Sequence, residues 1–269
     1  MTTYVLHTGQ SATISGGSGD DSLYFAGYGA AGEPVATFTG SDTLDAVSAT
    51  GTDTQAGFAV INLMPGGAMA TNSMTVDHAT LSLNEMPGSA VTFNGPATLS
   101  HRGILVATGY RGISNYTLNS TMTIDGTSVA NFSVVNLQGS GTIHLTGADS
   151  RLWLSATSTG TTVNLDGGTL ELTNGMSFLG TITDSAPQAS RIGAEASVDL
   201  FNAMSAASET FDRATGMLSL FDAQGTQVAA LKFAGTGDLY AVPTSGLETN
   251  YIAVTSHPSA RALPVTFTS

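Results

Sequence analysis

Over residues 133–172 apolar and polar positions alternate in short runs, separated by little besides Gly, Ser, Thr, Asn and Asp. The runs are Val134-Val135-Asn136-Leu137, Thr142-Ile143-His144-Leu145, Arg151-Leu152-Trp153-Leu154, Thr162-Val163-Asn164-Leu165 and Thr169-Leu170-Glu171-Leu172. Alternation of this kind marks a strand with one buried face. The first run resembles the fourth and the second resembles the fifth, so that Val135 answers to Val163 and Ile143 to Leu170. Three strands per repeat then describe a solenoid in which each apolar pair stacks on its counterpart one turn away.

That interval predicts three inward columns. One runs Val91, Tyr116, Ile143, Leu170, Val198; the second Leu99, Ile124, Leu152, Leu179; the third Leu81, Val106, Val135, Val163, Ile192. The expected fold is all-β, a parallel, right-handed β-helix of three sheets, its coils about 25–29 residues long as in other short-period repeats. Residues 59–200 are expected to form the coils, because alternation sharpens there and Pro65, Pro87 and Pro96 fall between strands, where they delete no ladder bond. Residues 1–58 read as a Gly-, Ser- and Thr-rich β segment, and 201–269 as a hairpin-rich cap. In that cap, strands at 217–221 and 227–233 flank the turn Asp222-Ala223-Gln224-Gly225, and 198–208 has room for a helical turn.

Composition narrows the class. Only 10% of residues are charged, against the usual quarter or so, too few for solvated helix faces. The 32 glycines suit a chain that turns a corner every few residues. A net charge of −13, with Lys232 the only lysine, argues against nucleic acid and anionic membranes as partners and favours divalent cations. The absence of Cys excludes disulfides and thiolate metal sites. No run reaches the roughly 18 apolar residues of a membrane span. Residues 1–15 lack the basic start and apolar core of a cleavable signal, so either export uses a removed leader or an uncleaved carboxyl-terminal signal of the type I kind, or the protein stays inside the cell.

One stretch carries a specific motif. Gly16-Gly17-Ser18-Gly19-Asp20-Asp21-Ser22-Leu23 resembles the GGxGxDxL nonapeptide of secreted hemolysin-type calcium-binding repeats. The resemblance implies calcium held between successive turns by Gly17, Gly19 and Asp21, with Leu23 pointing into the core; hard oxygen ligands suit that ion. A partial echo, Gly40-Ser41-Asp42-Thr43-Leu44, falls outside the nonapeptide phase. The alternative is a Gly-Asp turn that opens a strand.

The inward columns fix which side chains face out. The first outward face reads Thr92, Thr117, His144, Glu171, Asp199, setting His144 beside Glu171 and Glu171 beside Asp199, the latter a cation site or a repulsive edge. The second reads Ser100, Asp125, Trp153, Gly180, with Arg151 flanking Trp153; a tryptophan beside an arginine and a carboxylate can hold sugar rings. The third reads Ser82, Ala107, Asn136, Asn164 and suggests an asparagine ladder.

These observations point to an extracellular or cell-surface bacterial protein of structural or adhesive type. It is expected to be non-enzymatic and to associate with itself into a filament, surface layer or biofilm matrix. Thr210-Phe211-Asp212 followed by Leu218-Ser219-Leu220, a tight turn and a matching strand resembles the carboxyl-terminal part of large secreted bacterial adhesin-like proteins, which implies the same class. The alternative is a β-helix that binds or cleaves polysaccharide, for which Arg102, Arg111, Asp125 and Arg151 are the candidates nearest in register. The five histidines lie in unrelated contexts, and neither a G-x-S-x-G elbow nor a phosphate-binding loop occurs.

Overall fold

A computed structural model of the chain describes residues 2–16, 21–26, 32–109, 114–133, 135–155, 158–173, 178–183, 196–200, 206–212, 214–234, 238–242 and 250–255. The first turn holds β1 (Thr3–His7) and β2 (Ser11–Ile14). The second holds β3 (Asp21–Ala26), β4 (Val35–Phe38) and the start of β5 (Ser41–Thr50), whose end opens a third turn with β6 (Gly57–Leu63) and β7 (Ala68–Thr71). Then follow β8 (Met74–Asp77), β9 (Ala79–Glu85) and β10 (Ala90–Phe93), and next β11 (Ala97–Ser100), β12 (Ile104–Gly109) and β13 (Ser114–Leu118). The same order recurs in β14 (Thr121–Asp125), β15 (Val129–Ser133) and β16 (Val135–Gln138). Later turns use β17 (Thr142–Thr146), β18 (Arg151–Leu154), β19 (Ser158–Asn164), β20 (Thr169–Leu172), β21 (Phe178–Thr183) and β22 (Ala196–Leu200). Last come β23 (Ala206–Asp212), β24 (Met217–Asp222), β25 (Gln227–Phe233), β26 (Asp238–Val242) and β27 (Asn250–Thr255).

The strands of β1 to β22 pair in parallel, turn upon turn, on three faces of a β-solenoid. Face I carries the start of β5, then β7, β10, β13, β16 and the starts of β19 and β21. Face II carries β1, β3, the end of β5, then β8, β11, β14, β17 and the ends of β19 and β21. Face III carries β2, β4, β6, β9, β12, β15, β18, β20 and β22. The parallel ladder therefore runs back through residues 1–58 instead of starting at Ala59. No helix forms among the described residues; of 198–208, residues 198–200 end β22 and 206–208 open β23, while 201–205, within the stretch expected to have room for a helical turn, lie outside the described residues.

Alternation places the core. In β9, Ala79, Leu81, Leu83 and Glu85 point inward while Thr80, Ser82 and Asn84 face outward. Leu81 stacks on Leu105, and Leu105 on Ala130, Leu152, Leu170 and Val198 in turn, all at 0% exposure. Each full burial of a large aliphatic side chain contributes roughly 1.5–3 kcal/mol. Phe93, Tyr116 and Phe132 pack together in the core, with ring centroids 6.2 Å apart in the first pair and 5.5 Å, edge-on, in the second. At the corners, buried hydroxyls satisfy the turning backbone: Ser128 Oγ accepts from Gly103 N, and Ser150 Oγ donates to the Gly147 carbonyl.

The predicted columns hold in part. Val91 on Tyr116, Leu99 on Ile124 and Leu170 on Val198 are vertical partners. Tyr116, however, stacks on Leu137 and not on Ile143, Ile143 stacks on Val163, and Ile124 stacks on Leu145 in place of Leu152. From β16 on, most turns are shorter than the predicted interval, so a step of that length overshoots onto the next face. Val106 also faces out, with Leu105 and Ala107 buried, since the run Ile104-Leu105-Val106-Ala107 has no alternation to fix its phase. Leu179 is 64% exposed and Phe178 takes the inward place. Ile192 lies outside the described residues.

The carboxyl-terminal hairpins are present as expected. β24 pairs antiparallel with β25 and β23, and the turn between β24 and β25 is closed by the Asp222 carboxylate, which accepts from the Gln224 and Thr226 amides. β25 continues face II beyond β21, while β27 runs antiparallel to β22 and carries β26.

Candidate functional site

The calcium-like motif lies in the second turn. Gly17 and Gly19 fall outside the described residues, but Asp21 opens β3 at 9% exposure, accepts the Thr2 amide, and precedes a fully buried Leu23. Gly16 lies against the Ser41 backbone and Gly40 against the Ser15 backbone, so motif and echo stack one turn apart although they are out of nonapeptide phase. Asp42 is 5% exposed; burial pushes its carboxyl up, the Thr43 amide pulls it down, and the charge of Asp21 raises it again. The charge of the nearly buried Asp21 thus reaches the nearly buried Asp42.

Face III gathers a second group. Trp153 and Arg151 project from β18, Glu171 from β20 and Asp199 from β22, with Trp153 opposite Glu171 and Glu171 opposite Asp199. Arg151 Nη1 donates to Glu171 Oε1 at 3.0 Å, and Trp153 Nε1 donates to Thr173 Oγ1 at 2.9 Å, leaving the indole 38% exposed. Burial pushes Asp199 up to about 6, helped by the charge of Glu171 and opposed by Arg151. Two predicted members are elsewhere. His144 lies on face II between Thr123 and Asn164, and Asp125 ends β14 on face II, accepting from Thr146 Oγ1 at 3.1 Å. Both misplacements follow from the overshoot by one strand. The asparagine ladders are likewise paired differently: Asn136 bonds Asn115, Asn164 bonds His144, and Asn84 bonds Asn62.

A third group has no counterpart among the sequence expectations. At the corner between faces II and III, Asp77 pairs vertically with Ser100, which sets His78 against His101 one turn later. Their rings stack with centroids 4.7 Å apart and 13° between planes. Asp77 Oδ1 lies 2.7 Å from His101 Nδ1, 3.3 Å from His78 Nδ1 and 2.8 Å from Ser100 Oγ, while Asp53 Oδ1 lies 2.6 Å from His78 Nε2. Burial pushes Asp77 up, but hydrogen bonds from His101 and Ser100 and the two imidazoles outweigh it and hold the carboxyl below its usual range. The hydrogen bond and charge of Asp77 raise His101, with Asp53 and Asp125 adding to the effect. The signal in the sequence is the recurrence of Asp77-His78 as Ser100-His101, spaced by the true length of that turn.

The fourth group is interior. Glu85 ends β9 at 0% exposure with neither oxygen in hydrogen-bonding geometry, and the buried hydroxyls of Ser114 and Tyr116 are equally unsatisfied. Burial pushes Glu85 up to about 7, and the Tyr116 and Ser114 hydroxyls pull weakly the other way. Comparison of the chain with models of protein families and with curated proteins finds no match.

Proposed function

We propose that this chain is a structural, non-enzymatic solenoid displayed outside the bacterial cell, where it associates with itself as part of an adhesive surface or matrix. The observation that carries this reading is the make-up of the outward faces. Neutral side chains bond rung to rung, as in Asn62–Asn84, Asn94–Asn119, Asn115–Asn136 and Thr117–Gln138, and the charged groups are divided among separate faces and corners. A hydrolase or lyase instead concentrates acids and bases in one groove. The two ends differ as well. β21 and β22 are covered by β25 and β27, whereas β1 and β2 have no partner on their outer side among the described residues. An uncovered edge offers donors and acceptors to a second chain. Sedimentation velocity and negative-stain microscopy of the purified chain should show association that rises with concentration and is lost in Val5→Lys, which places a charge on β1. Monodisperse monomers at every concentration would refute the self-associating form.

Calcium fits the same reading as a cofactor of the second turn, supported by the buried Asp21 and Asp42 pair. Titration with calcium should raise the melting temperature of the native chain and leave Asp21→Asn unmoved; an unchanged native midpoint removes the site. The half-exposed Trp153 beside Arg151 favours polysaccharide as a second partner. Retention of Trp153→Ala on a polysaccharide column equal to that of the native chain would dismiss it.

A further inference from the structure

We propose that Asp77, His78 and His101 bind one divalent transition-metal ion of the zinc, copper and nickel class, held across two successive turns at the corner between faces II and III. The donor atoms of the three side chains lie within 4.8 Å of one another. A zinc ion with bonds of about 2.0–2.1 Å wants donors roughly 3.3 Å apart, so binding requires the nearly parallel His78 and His101 rings to turn out of their stack and His101 to give up the Nδ1 proton it shares with Asp77, a movement for which its 66% exposed side chain leaves room. Two imidazole nitrogens and one carboxylate oxygen suit this class of ion better than calcium or magnesium, which take oxygen.

Asp53 supplies the orientation. When His78 donates its Nε2 proton to Asp53 at 2.6 Å, its Nδ1 carries a lone pair 3.3 Å from Asp77 Oδ1, acceptor near acceptor. A cation between them turns that repulsion into coordination. A carboxylate on the far nitrogen of a metal-bound histidine is the usual supporting arrangement, which fixes the tautomer and raises ligand basicity.

Backbone conformation gives an independent indication. His78 and His101 have φ of 50° and 47°, in the left-handed region, and the next two turns put Gly126 (φ 60°) and Gly147 (φ 131°) at the corresponding corner. Side chains in this region are strained by roughly 1–3 kcal/mol, and such strain concentrates where a side chain has a task. Histidine in two consecutive turns, at a corner that glycine fills in the turns that follow, places two ligands one rung apart. The net charge of −13 adds a general attraction for cations.

The test uses the whole chain stripped of metal with a chelator and titrated calorimetrically with Zn2+, and in parallel with Ca2+. One zinc per chain is expected, with a higher melting temperature on binding. His101→Gly should keep the fold, since glycine suits that φ, raise the metal-free melting temperature slightly, and weaken zinc at least ten-fold. Asp53→Asn should weaken it roughly ten-fold by loss of the supporting carboxylate, and His144→Gln should change nothing. Zinc affinity unaltered in both His101→Gly and Asp77→Asn, no stoichiometric binding by the native chain, or calcium competing on equal terms would each overturn the site.

Discussion

The turns before β16 and those after it wind the same three faces with different lengths of chain. Several turns of the first set are long, stacking Leu105 on Leu81, Ala130 on Leu105 and Tyr116 on Val91. In the second they tighten, stacking Leu152 on Ala130, Leu170 on Leu152 and Val163 on Ile143, before the turn from Leu170 to Val198 opens again. Face I shrinks to Ser158 and Thr159, and β19 bends onto face II through a bulge instead of a loop. What stays constant is the alternation that keeps one apolar side chain on the next; corner length is free to change. The halves also treat acids differently. The earlier turns enclose Glu85, and the later ones carry Glu171 and Asp199 on the outside beside Arg151.

The strongest test of that contrast is truncation. Phe132→Ala removes a ring that is 1% exposed and packed edge-on against Tyr116, and should cost about 3–5 kcal/mol in urea unfolding. Leu179→Ala, in a late turn at 64% exposure, should cost within about 0.5 kcal/mol. Equal losses would mean that Leu179 is inward after all and that the predicted interval holds there.

Next in size is the pH response of Glu85. Its pKa rises from 4.5 in the open chain to about 7 in the fold, so the fold takes up the proton more readily. The stabilisation is complete below pH 4.5, fades as pH rises, and is gone above about 7, a change on the order of 3 kcal/mol. Tyr116, raised well above its ordinary value chiefly by burial, stays neutral throughout. Glu85→Gln should flatten the urea midpoint between pH 6 and pH 8 and raise it at pH 8. A native midpoint independent of pH over that range would show that the carboxyl reaches water.

Why the sequence discloses the architecture but misplaces the sites follows from the same contrast. Thr142-Ile143-His144-Leu145 reveals a strand and its buried side wherever it lies, because alternation is local. Nothing local says which of three equivalent faces it occupies, since that depends on the summed length of earlier corners. A uniform interval therefore sets His144 beside Glu171, and Asp125 beside Trp153, each one face away from its true place. Glu171 and Asp199 pair as expected because the turn between them has the assumed length. The corner histidines stay hidden because corners break the alternation, and the turn that joins them is shorter than the assumed interval.

The smallest effects belong to the outer acids. Asp199 rises from 3.8 to about 6, so its share of stability is full below pH 3.8 and lost by about 6. Because the group is partly solvated, that share is roughly 1 kcal/mol after screening. Arg151→Gln removes an exposed ion pair with Glu171 that contributes about 0.2–1 kcal/mol. It also removes the one cation that lowers Asp199, leaving burial and Glu171 unopposed, so the outer step should move above pH 6. Asp199→Asn should abolish that step and leave the Glu85 step intact, because the two acids lie on opposite sides of the solenoid wall. Midpoints measured in half-unit pH increments on Arg151→Gln, Asp199→Asn and Glu85→Gln resolve the two. If Arg151→Gln moved both steps together, the later turns would be coupled to the interior, and the division between an enclosed acid and a solvated one would fail.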